Sequence, residues 1–236
     1  MTMTALVTGA NRGLGLETCR QLAKRGYRVL LTARNSETGD QAAGRLAGEG
    51  LDVSFLPLDV ASDESIEAAA ETLQSRGITL DVLVNNAGVL LDPHNGWGDT
   101  EASILKADRD TLRETMEINV YGPIRLVQAL LPLLNDDARI INISSGMGQL
   151  SEMGGLFPAY RISKTALNAV TRIFSEELRS KNITINSVCP GWVRTDMGGP
   201  EATLSTEEGV ETTIWLATVA HAPNGGFFRN KQALTW

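Results

Sequence analysis

A glycine-rich stretch, Thr8-Gly9-Ala10-Asn11-Arg12-Gly13-Leu14-Gly15, follows the apolar run Ala5-Leu6-Val7 and opens into an amphipathic segment. Glycine lets a backbone approach a phosphate closely, and the first N–H groups of a helix favour an anion, as does its dipole. Such glycines also suit an ordinary tight turn. The strand before, the helix after and a second strand near residue 33 favour a dinucleotide site. We therefore predict cofactor contacts from Gly9, Asn11, Arg12, Gly13, Leu14 and Gly15.

Short apolar runs alternate with longer helical patterns along the rest of the chain. The runs are Ala5–Val7, Val29–Leu31, Val53–Leu56, Val82–Val84, Ile140–Ile143 and Ile183–Val188. The helical patterns are Gly13–Arg25, Ser36–Ala47, Asp63–Ser75, Asp108–Leu134 and Ala159–Ser180. Uninterrupted runs are typical of parallel strands buried on both faces, and the alternation is typical of a doubly wound sheet. We predict an α/β fold over residues 1–236, a single-domain, Rossmann-like, doubly wound parallel sheet with helices on both faces.

Composition narrows the class of protein. The chain has 236 residues, 42% hydrophobic and 21% charged, and a formal charge of −7 from interspersed residues, which argues against a nucleic-acid or anionic-lipid face. Cys19, Cys189, His94 and His221 are too few and too scattered for a disulfide framework or a metal site. Neither a signal peptide nor a membrane span is indicated. We expect a cytoplasmic protein that binds no metal, membrane or nucleic acid.

The end of the predicted second strand, Leu31-Thr32-Ala33-Arg34, indicates which dinucleotide is bound. It lacks the acidic residue that would accept hydrogen bonds from the ribose hydroxyls of NAD, and it offers Arg34 instead. Arg12 can reach the same corner, and two cations favour a 2′-phosphate. Each arginine alone is also typical of a solvated surface. Together they predict NADP(H).

Tyr160 and Lys164 lie four residues apart near the start of a predicted helix, so their side chains share one face. Such pairs are common by chance, but further polar groups follow the neighbouring strands: Asn85-Asn86-Ala87-Gly88, Ser144-Ser145 and Pro190-Gly191. With Asn119 in the long helix, this set resembles the short-chain dehydrogenase/reductase family over essentially the whole chain.

The resemblance implies that Asn119, Ser145, Tyr160 and Lys164 are the catalytic residues. Tyr160 would protonate the oxygen on which hydride addition builds charge, and the ammonium of Lys164 would lower the phenol pKa. Lys164 would also hold the nicotinamide ribose, Ser145 would orient the carbonyl, and Asn119 would hold a water. The family pattern implies further contacts with the cofactor, in addition to those of Tyr160 and Lys164. These come from Asp59, Val60, Asn86, Ala87, Gly88, Pro190, Gly191, Val193 and Thr195. Asp59 is equally suited to starting a turn.

The stretch Cys189 to Met197, with Gly199-Pro200 and the terminal Trp236, is similar to the monomeric carbonyl reductases of this family. Those proteins carry a long insertion before the catalytic tyrosine, where this chain has only Gly146 to Ala159. Because the insertion would cover the helix face through which shorter members commonly pair, we expect a homodimer or homotetramer.

The loops indicate the substrate. Trp192 is predicted to line the pocket, and further bulky groups near its mouth are Trp97, Met147, Leu150, Met153, Phe157 and Met197, all of which also suit core packing. No cluster of arginine or lysine lies there, although Arg161 and Arg194 are near. Small apolar ketones and aldehydes, reduced reversibly with NADPH, are favoured. The alternatives are a 3-oxoacyl thioester reductase and a non-catalytic NADP(H) sensor.

Overall fold

One eight-stranded sheet forms the centre of the computed structural model, which describes residues 2–93, 95–96 and 98–236. Its strands are β1 (Thr4–Val7), β2 (Arg28–Ala33), β3 (Val53–Pro57), β4 (Leu80–Asn85), β5 (Leu134–Ile143), β6 (Thr184–Val188), β7 (Phe227–Arg229) and β8 (Gln232–Ala233). Their order is β3-β2-β1-β4-β5-β6-β7-β8. The strands from β3 to β7 are parallel, and β8 is antiparallel to β7.

Helices cover both faces of the sheet. They are α1 (Gly13–Ala23), α2 (Ser36–Gly48), α3 (Asp63–Ser75), α4 (Arg109–Met116), α5 (Gly122–Leu130), α6 (Pro158–Glu177), α7 (Thr206–Gly209) and α8 (Glu211–Thr218). Side chains of β1 alternate: Ala5 and Val7 pack in a core with α1, α2 and α8, whereas Leu6 packs in a second core with α3 and α5. The predicted doubly wound α/β fold is confirmed.

Local signals set the ends of the early helices. The side chains of Asn35 and Ser62 accept hydrogen bonds from the N–H groups of Thr38 (2.9 Å) and Ser65 (3.2 Å), as expected for N-caps. Each of the helices α1, α2 and α3 is followed by a glycine with positive φ: Gly26 (84°), Gly50 (79°) and Gly77 (61°). A residue with a Cβ would be strained in this conformation. The predicted starts of α1, α2 and α3 are therefore correct, and their ends differ by two residues or fewer.

The segment predicted as one long helix, Asp108–Leu134, is interrupted near its two prolines, Pro123 and Pro132, as prolines within a helix lead one to expect. A π-helical turn, Glu117–Tyr121, separates α4 from α5, and Pro123 lies in the first turn of α5. Proline has no N–H to donate, so it is accommodated where the regular hydrogen-bond ladder is already interrupted. A 3₁₀ turn containing Pro132 ends the helix, and β5 begins at Leu134, earlier than the predicted Ile140.

The elements after Val188 were not predicted. Helix α7 starts with a capping box formed by Ser205 and Glu208, and β7 is only three residues long. Phe227 and Phe228 are both buried and extend the sheet beside β6. Strands this short carry too little periodicity to be read from sequence. Helix α6 also ends at Glu177 rather than Ser180. None of the described helices is long and apolar enough to cross a membrane.

Candidate active site

A cleft of about 1010 Å³ opens at the carboxyl ends of the parallel strands. Every cofactor contact predicted from the sequence lines it: Gly9, Asn11, Arg12, Gly13, Leu14, Gly15, Arg34, Asp59, Val60, Asn86, Ala87, Gly88, Tyr160, Lys164, Pro190, Gly191, Val193 and Thr195. Ser145 and Trp192 line it too. The sequence therefore identified most of the residues that the fold brings together.

Residues 4–88, which we call the cofactor half, form one side of the cleft with tightly packed glycines. A Cβ on Gly9 would lie 2.8 Å from Cα of Ala87, and Gly9 has a φ of 61°. A Cβ on Gly15 would lie 2.5 Å from Nδ2 of Asn86 and 2.7 Å from Cα of Ala10. No side chain caps the first turn of α1, whose residues Gly13, Leu14 and Gly15 line the cleft. This backbone fits the pyrophosphate of a dinucleotide.

Asn86 ties this glycine turn to the end of β4. Its Nδ2 donates to the carbonyl oxygens of Thr8 (2.8 Å) and Gly9 (3.0 Å), and the N–H groups of Asn86 and Ala87 both donate to the hydroxyl of Thr8. The amide of Asn86 therefore shapes the turn, in addition to lining the cleft where the family pattern places the cofactor ribose.

Charged groups lie at the corner beyond β2. Arg34 is exposed there. Arg12 pairs with Asp196 at 2.5 Å, although both side chains are more than 70% exposed. The exposed pair is weak because water screens it, so Arg12 can exchange its partner for a phosphate. Asp59 accepts a hydrogen bond from the N–H of Ala61 (3.0 Å) and so starts a turn while it lines the cleft.

Tyr160, Ser145 and Lys164 meet in the cleft. The side chain of Ser145 lies near the hydroxyl of Tyr160 and lowers the pKa of that hydroxyl. Nζ of Lys164 lies 5.6 Å from the Tyr160 ring centroid and donates to the carbonyl oxygen of Ile143 at 2.8 Å. Burial lowers the pKa of Lys164 to about 8. Burial also raises the pKa of Tyr160 to about 12, against the lowering by Ser145. The sequence predicted that Lys164 and the oxidised nicotinamide together would lower the pKa of Tyr160; in the protein alone, burial outweighs the lowering by Ser145.

The two adjacent serines at the end of β5 point to different places. Ser144 is buried, and its hydroxyl donates to the carbonyl oxygen of Lys164 at 3.3 Å. Ser145 faces Tyr160 and accepts a hydrogen bond from the N–H of Met147 at 3.1 Å. Of the pair, Ser145 is therefore the one placed to contact a substrate.

Asn119 lies in the π-helical turn, behind the wall of the cleft rather than in it. Its side chain exchanges hydrogen bonds with the backbone N–H (2.8 Å) and carbonyl (2.9 Å) of Val89, and Nδ2 also donates to Ser163 (3.0 Å). A Cβ on Gly88 would lie 3.2 Å from Oδ1 of Asn119 and 3.3 Å from Nζ of Lys164. Asn119 thus fixes the segment that covers Lys164.

Asp92, which sequence reasoning missed, holds the start of α6. Its two carboxylate oxygens accept hydrogen bonds from the N–H groups of Ala159 (2.9 Å) and Tyr160 (3.0 Å), and Asp92 is buried. The residue at the usual capping position, Phe157, supplies no side-chain cap and adopts a left-handed conformation with φ of 53°. The cap comes from a distant loop, so no local pattern in the sequence reveals it.

The opposite side of the cleft is lined by residues from four segments, which together we call the substrate wall: 89–107 as far as the structure describes it (89–93, 95–96 and 98–107), 146–157, 190–205 and 227–236. Of the bulky residues predicted there, Met147, Trp192 and Met197 line the cleft. Three do not: Leu150 and Met153 are exposed, and Phe157 is buried against Ala102 and Tyr160. The backbone at Leu156 and Phe157 is left-handed, with φ of 62° and 53°. Trp97 lies outside the described residues, as does His94.

Arg229, at the end of β7, is a second residue that the sequence did not reveal. Its Nε and Nη2 donate to Sγ of Cys189 at 3.2 and 2.8 Å, and the same sulfur accepts the N–H of Gly146 at 3.1 Å. A Cβ on Gly146 would collide with Nη2 of Arg229. The contact depends on β7 lying beside β6, and β7 was not predicted.

Comparison with known proteins agrees with this geometry. A family model described as short chain dehydrogenase matches residues 3–204 of the chain. The chain belongs to that family, an oxidoreductase family, and the resemblance seen in its motifs is confirmed.

Individual relatives extend over the full chain. The (+)-neomenthol dehydrogenase of Arabidopsis thaliana is 34% identical, with 97% of this chain and 96% of that protein aligned. Carbonyl reductase 1 of Mus musculus, whose name specifies NADPH, is 33% identical, with 98% of each aligned. That alignment runs over 279 positions against 236 residues here, so the relative carries segments that this chain lacks. The structure of NADPH-bound carbonyl reductase from chicken fatty liver is similar, with a TM-score of 0.87, 29% identity and coverage of 100% of this chain and 99% of that one.

Proposed function

We propose that residues 1–236 act as one oxidoreductase domain that reduces ketones and aldehydes to alcohols with NADPH, and that catalyses the reverse oxidation. The observation that supports this most directly is the buried Tyr160, with Ser145 beside it and Nζ of Lys164 5.6 Å from its ring centroid, in a cleft that also contains the glycine turn at the start of α1. The name of carbonyl reductase 1 supports the same reaction class.

The cofactor is NADP(H), as in the mouse and chicken relatives. In this chain the turn around Gly13 would hold the pyrophosphate, and Arg34 with Arg12 would hold the 2′-phosphate. When bound, NADPH supplies the hydride that adds to the carbonyl carbon.

The residues of this chain supply the proton and the orientation. Ser145 would donate a hydrogen bond to the carbonyl oxygen, and Tyr160 would give that oxygen its proton as negative charge develops. Burial keeps the Tyr160 phenol protonated, as a general acid must be, although the raised pKa also makes it a weaker acid. Lys164 would bind the ribose and stabilise the phenolate that remains. Asn119, whose side chain is bonded to Val89 and Ser163, would act by positioning the segment beside Lys164.

The test is the loss of NADPH absorbance across a panel of aryl ketones, keto esters, quinones and an acetoacetyl thioester. Ketone reduction faster than thioester reduction is expected. A preference for the thioester would favour a 3-oxoacyl thioester reductase. No consumption of NADPH with any carbonyl would overturn the proposed reaction and favour a sensor.

We also propose, from the sequence, a cytoplasmic location and a homodimer or homotetramer. Ile162 and Ile173 are 45% and 57% exposed and lie about three turns apart on one face of α6. Tyr121, on the adjacent π-helical turn, is 45% exposed. A second copy of this chain would cover this apolar face. Light scattering should give a multimer that Ile162→Glu with Ile173→Glu converts to monomer; a monomeric unmodified protein would contradict the assembly.

A further inference from the structure

Arg229 brings a positive charge into the substrate wall. Its Nε and Nη2 are both directed at Sγ of Cys189, at 3.2 and 2.8 Å, and Nη2 lies against Gly146. Gly146 directly follows Ser145, and both residues line the cleft together with Tyr160. The guanidinium is therefore held next to the place where a substrate carbonyl would lie.

The charge of Arg229 is not balanced within the cleft. None of the carboxylates in the described ranges forms an ion pair with it. The acidic residues that line the cleft are Asp59, beyond the end of β3, and Asp196, which pairs with Arg12. A thiol sulfur is only a weak hydrogen-bond acceptor, so Cys189 orients the guanidinium without neutralising it.

The other cations of the cleft have different partners or positions. Lys164 donates to the carbonyl oxygen of Ile143, and Arg194 donates to the carbonyl oxygens of Ala202 and Thr203. Arg12 and Arg34 lie at the corner of the cofactor half. Arg229 uses two of the five N–H donors of its guanidinium on Cys189. It is placed to use the others on a ligand beside Ser145.

We propose that Arg229 binds the carboxylate of an oxo-acid substrate. The inference rests on the proposed carbonyl reduction and narrows its substrate class. A planar guanidinium matches a carboxylate through two parallel hydrogen bonds, and the pairing is stronger in a cleft that excludes water than on an open surface. Because Gly146 is the neighbour of Ser145, the carbonyl and the carboxylate would belong to one small molecule with a few bonds between them.

The experiment compares acids with their methyl esters. Benzoylformate, 3-benzoylpropanoate and 4-benzoylbutanoate place the carboxylate at three distances from the carbonyl, and each ester has the same shape without the charge. At one chain length or more, kcat/KM for the acid should exceed that for the ester by about tenfold. Arg229→Gln should bring that ratio to one or below, and Arg229→Lys should retain part of it. The control is Arg76→Gln, because Arg76 is exposed, directly follows α3 and does not line the cleft. This variant should keep the full ratio.

A ratio that is the same in Arg229→Gln and the unmodified protein would overturn the proposal, as would an ester preference at every length. If an acetoacetyl thioester is preferred over every acid, and the preference is lost in Arg229→Gln, the proposal is overturned. Arg229 would then bind a phosphate of the thioester's carrier group instead of a carboxylate. If ketones, acids and esters all fail to consume NADPH, it is the proposed reaction that fails.

A second measurement needs no variant, so it stands even if Arg229→Gln does not fold. In the unmodified protein, 4-phenylbutanoate should inhibit reduction of propiophenone competitively, with an inhibition constant about tenfold lower than that of 4-phenylbutanamide. Equal inhibition by the acid and the amide would contradict a carboxylate site.

Discussion

The two sides of the cleft are built differently. The cofactor half is one continuous stretch, and its geometry comes from the backbone: Gly9 and Gly15 have no room for a Cβ, and Thr8 and Asn86 connect the turn to β4. The substrate wall comes from four separate stretches, and its geometry comes from side chains such as Asp92 and Arg229, which act on distant residues. Backbone constraints leave a glycine pattern in the sequence, whereas contacts between distant side chains leave none.

The largest expected effect is that of Tyr160→Phe, which should lower kcat and leave NADPH affinity nearly unchanged. Removing the phenol hydroxyl removes the proton donor, so kcat should fall by about 10²- to 10⁴-fold. The dissociation constant for NADPH, measured by fluorescence, should change by less than about twofold, because the glycine turn is untouched. Near-normal turnover would show that Tyr160 is not the acid. A large loss of NADPH affinity would show that Tyr160 also contributes to cofactor binding, so that the two sides of the cleft do not act independently.

Charge reversal at Arg34 tests the cofactor half alone. In Arg34→Asp, the ratio of kcat/KM for NADPH to that for NADH should fall by roughly 10- to 100-fold, because a carboxylate repels the 2′-phosphate and accepts the ribose hydroxyls of NADH. Arg28→Asp makes the same change at the other, exposed end of β2 and should leave the ratio unaltered. If Arg34→Asp still favours NADPH as strongly as the unmodified protein, another group recognises the phosphate.

A methyl group at Gly15 tests how tight the turn is. In Gly15→Ala the new Cβ would lie 2.5 Å from Asn86 and 2.7 Å from Cα of Ala10. Overpacking of this kind costs about 1–3 kcal/mol, so NADPH should bind about tenfold more weakly. Gly44→Ala is the matched control, since Gly44 lies in α2 with open space around it, and it should raise stability by about 0.5–1 kcal/mol. Unchanged NADPH affinity in Gly15→Ala would contradict a close phosphate contact.

The smallest effect on activity is expected for Asp92→Ala, in the substrate wall. Two buried N–H groups at the start of α6 lose their acceptor, which costs about 1–3 kcal/mol of unfolding free energy. Because Tyr160 is one of those residues, kcat should also fall several-fold, with NADPH affinity retained. Ser62→Ala removes the N-cap of α3, away from the substrate wall. It should lower stability by about 1 kcal/mol without changing kcat. A kcat loss no larger than that of Ser62→Ala would make Asp92 purely structural.

The same difference explains what could be predicted from the sequence. The glycine turn, Arg34, Ser145, Tyr160 and Lys164 follow strands or share a helix face, so their positions follow from the strand–helix alternation. The fold was predictable for the same reason up to Val188.

What could not be predicted depends on long-range packing. The π-helical turn that carries Asn119 has no sequence period of its own, and β7 is too short to recognise. Phe157 was expected near the mouth of the pocket because it is bulky and apolar. It is instead buried against Ala102 and Tyr160, with a left-handed backbone. Without β7, the contact of Arg229 with Cys189 and Gly146 has no sequence signal.

The late position of β7 has a consequence for biosynthesis. A polypeptide is made from its amino end, and folding begins while synthesis continues. The segments that shape the phosphate turn, through Gly88, leave the ribosome before Arg229 does. The residues of the phosphate turn are therefore made before the residue that would select among substrates.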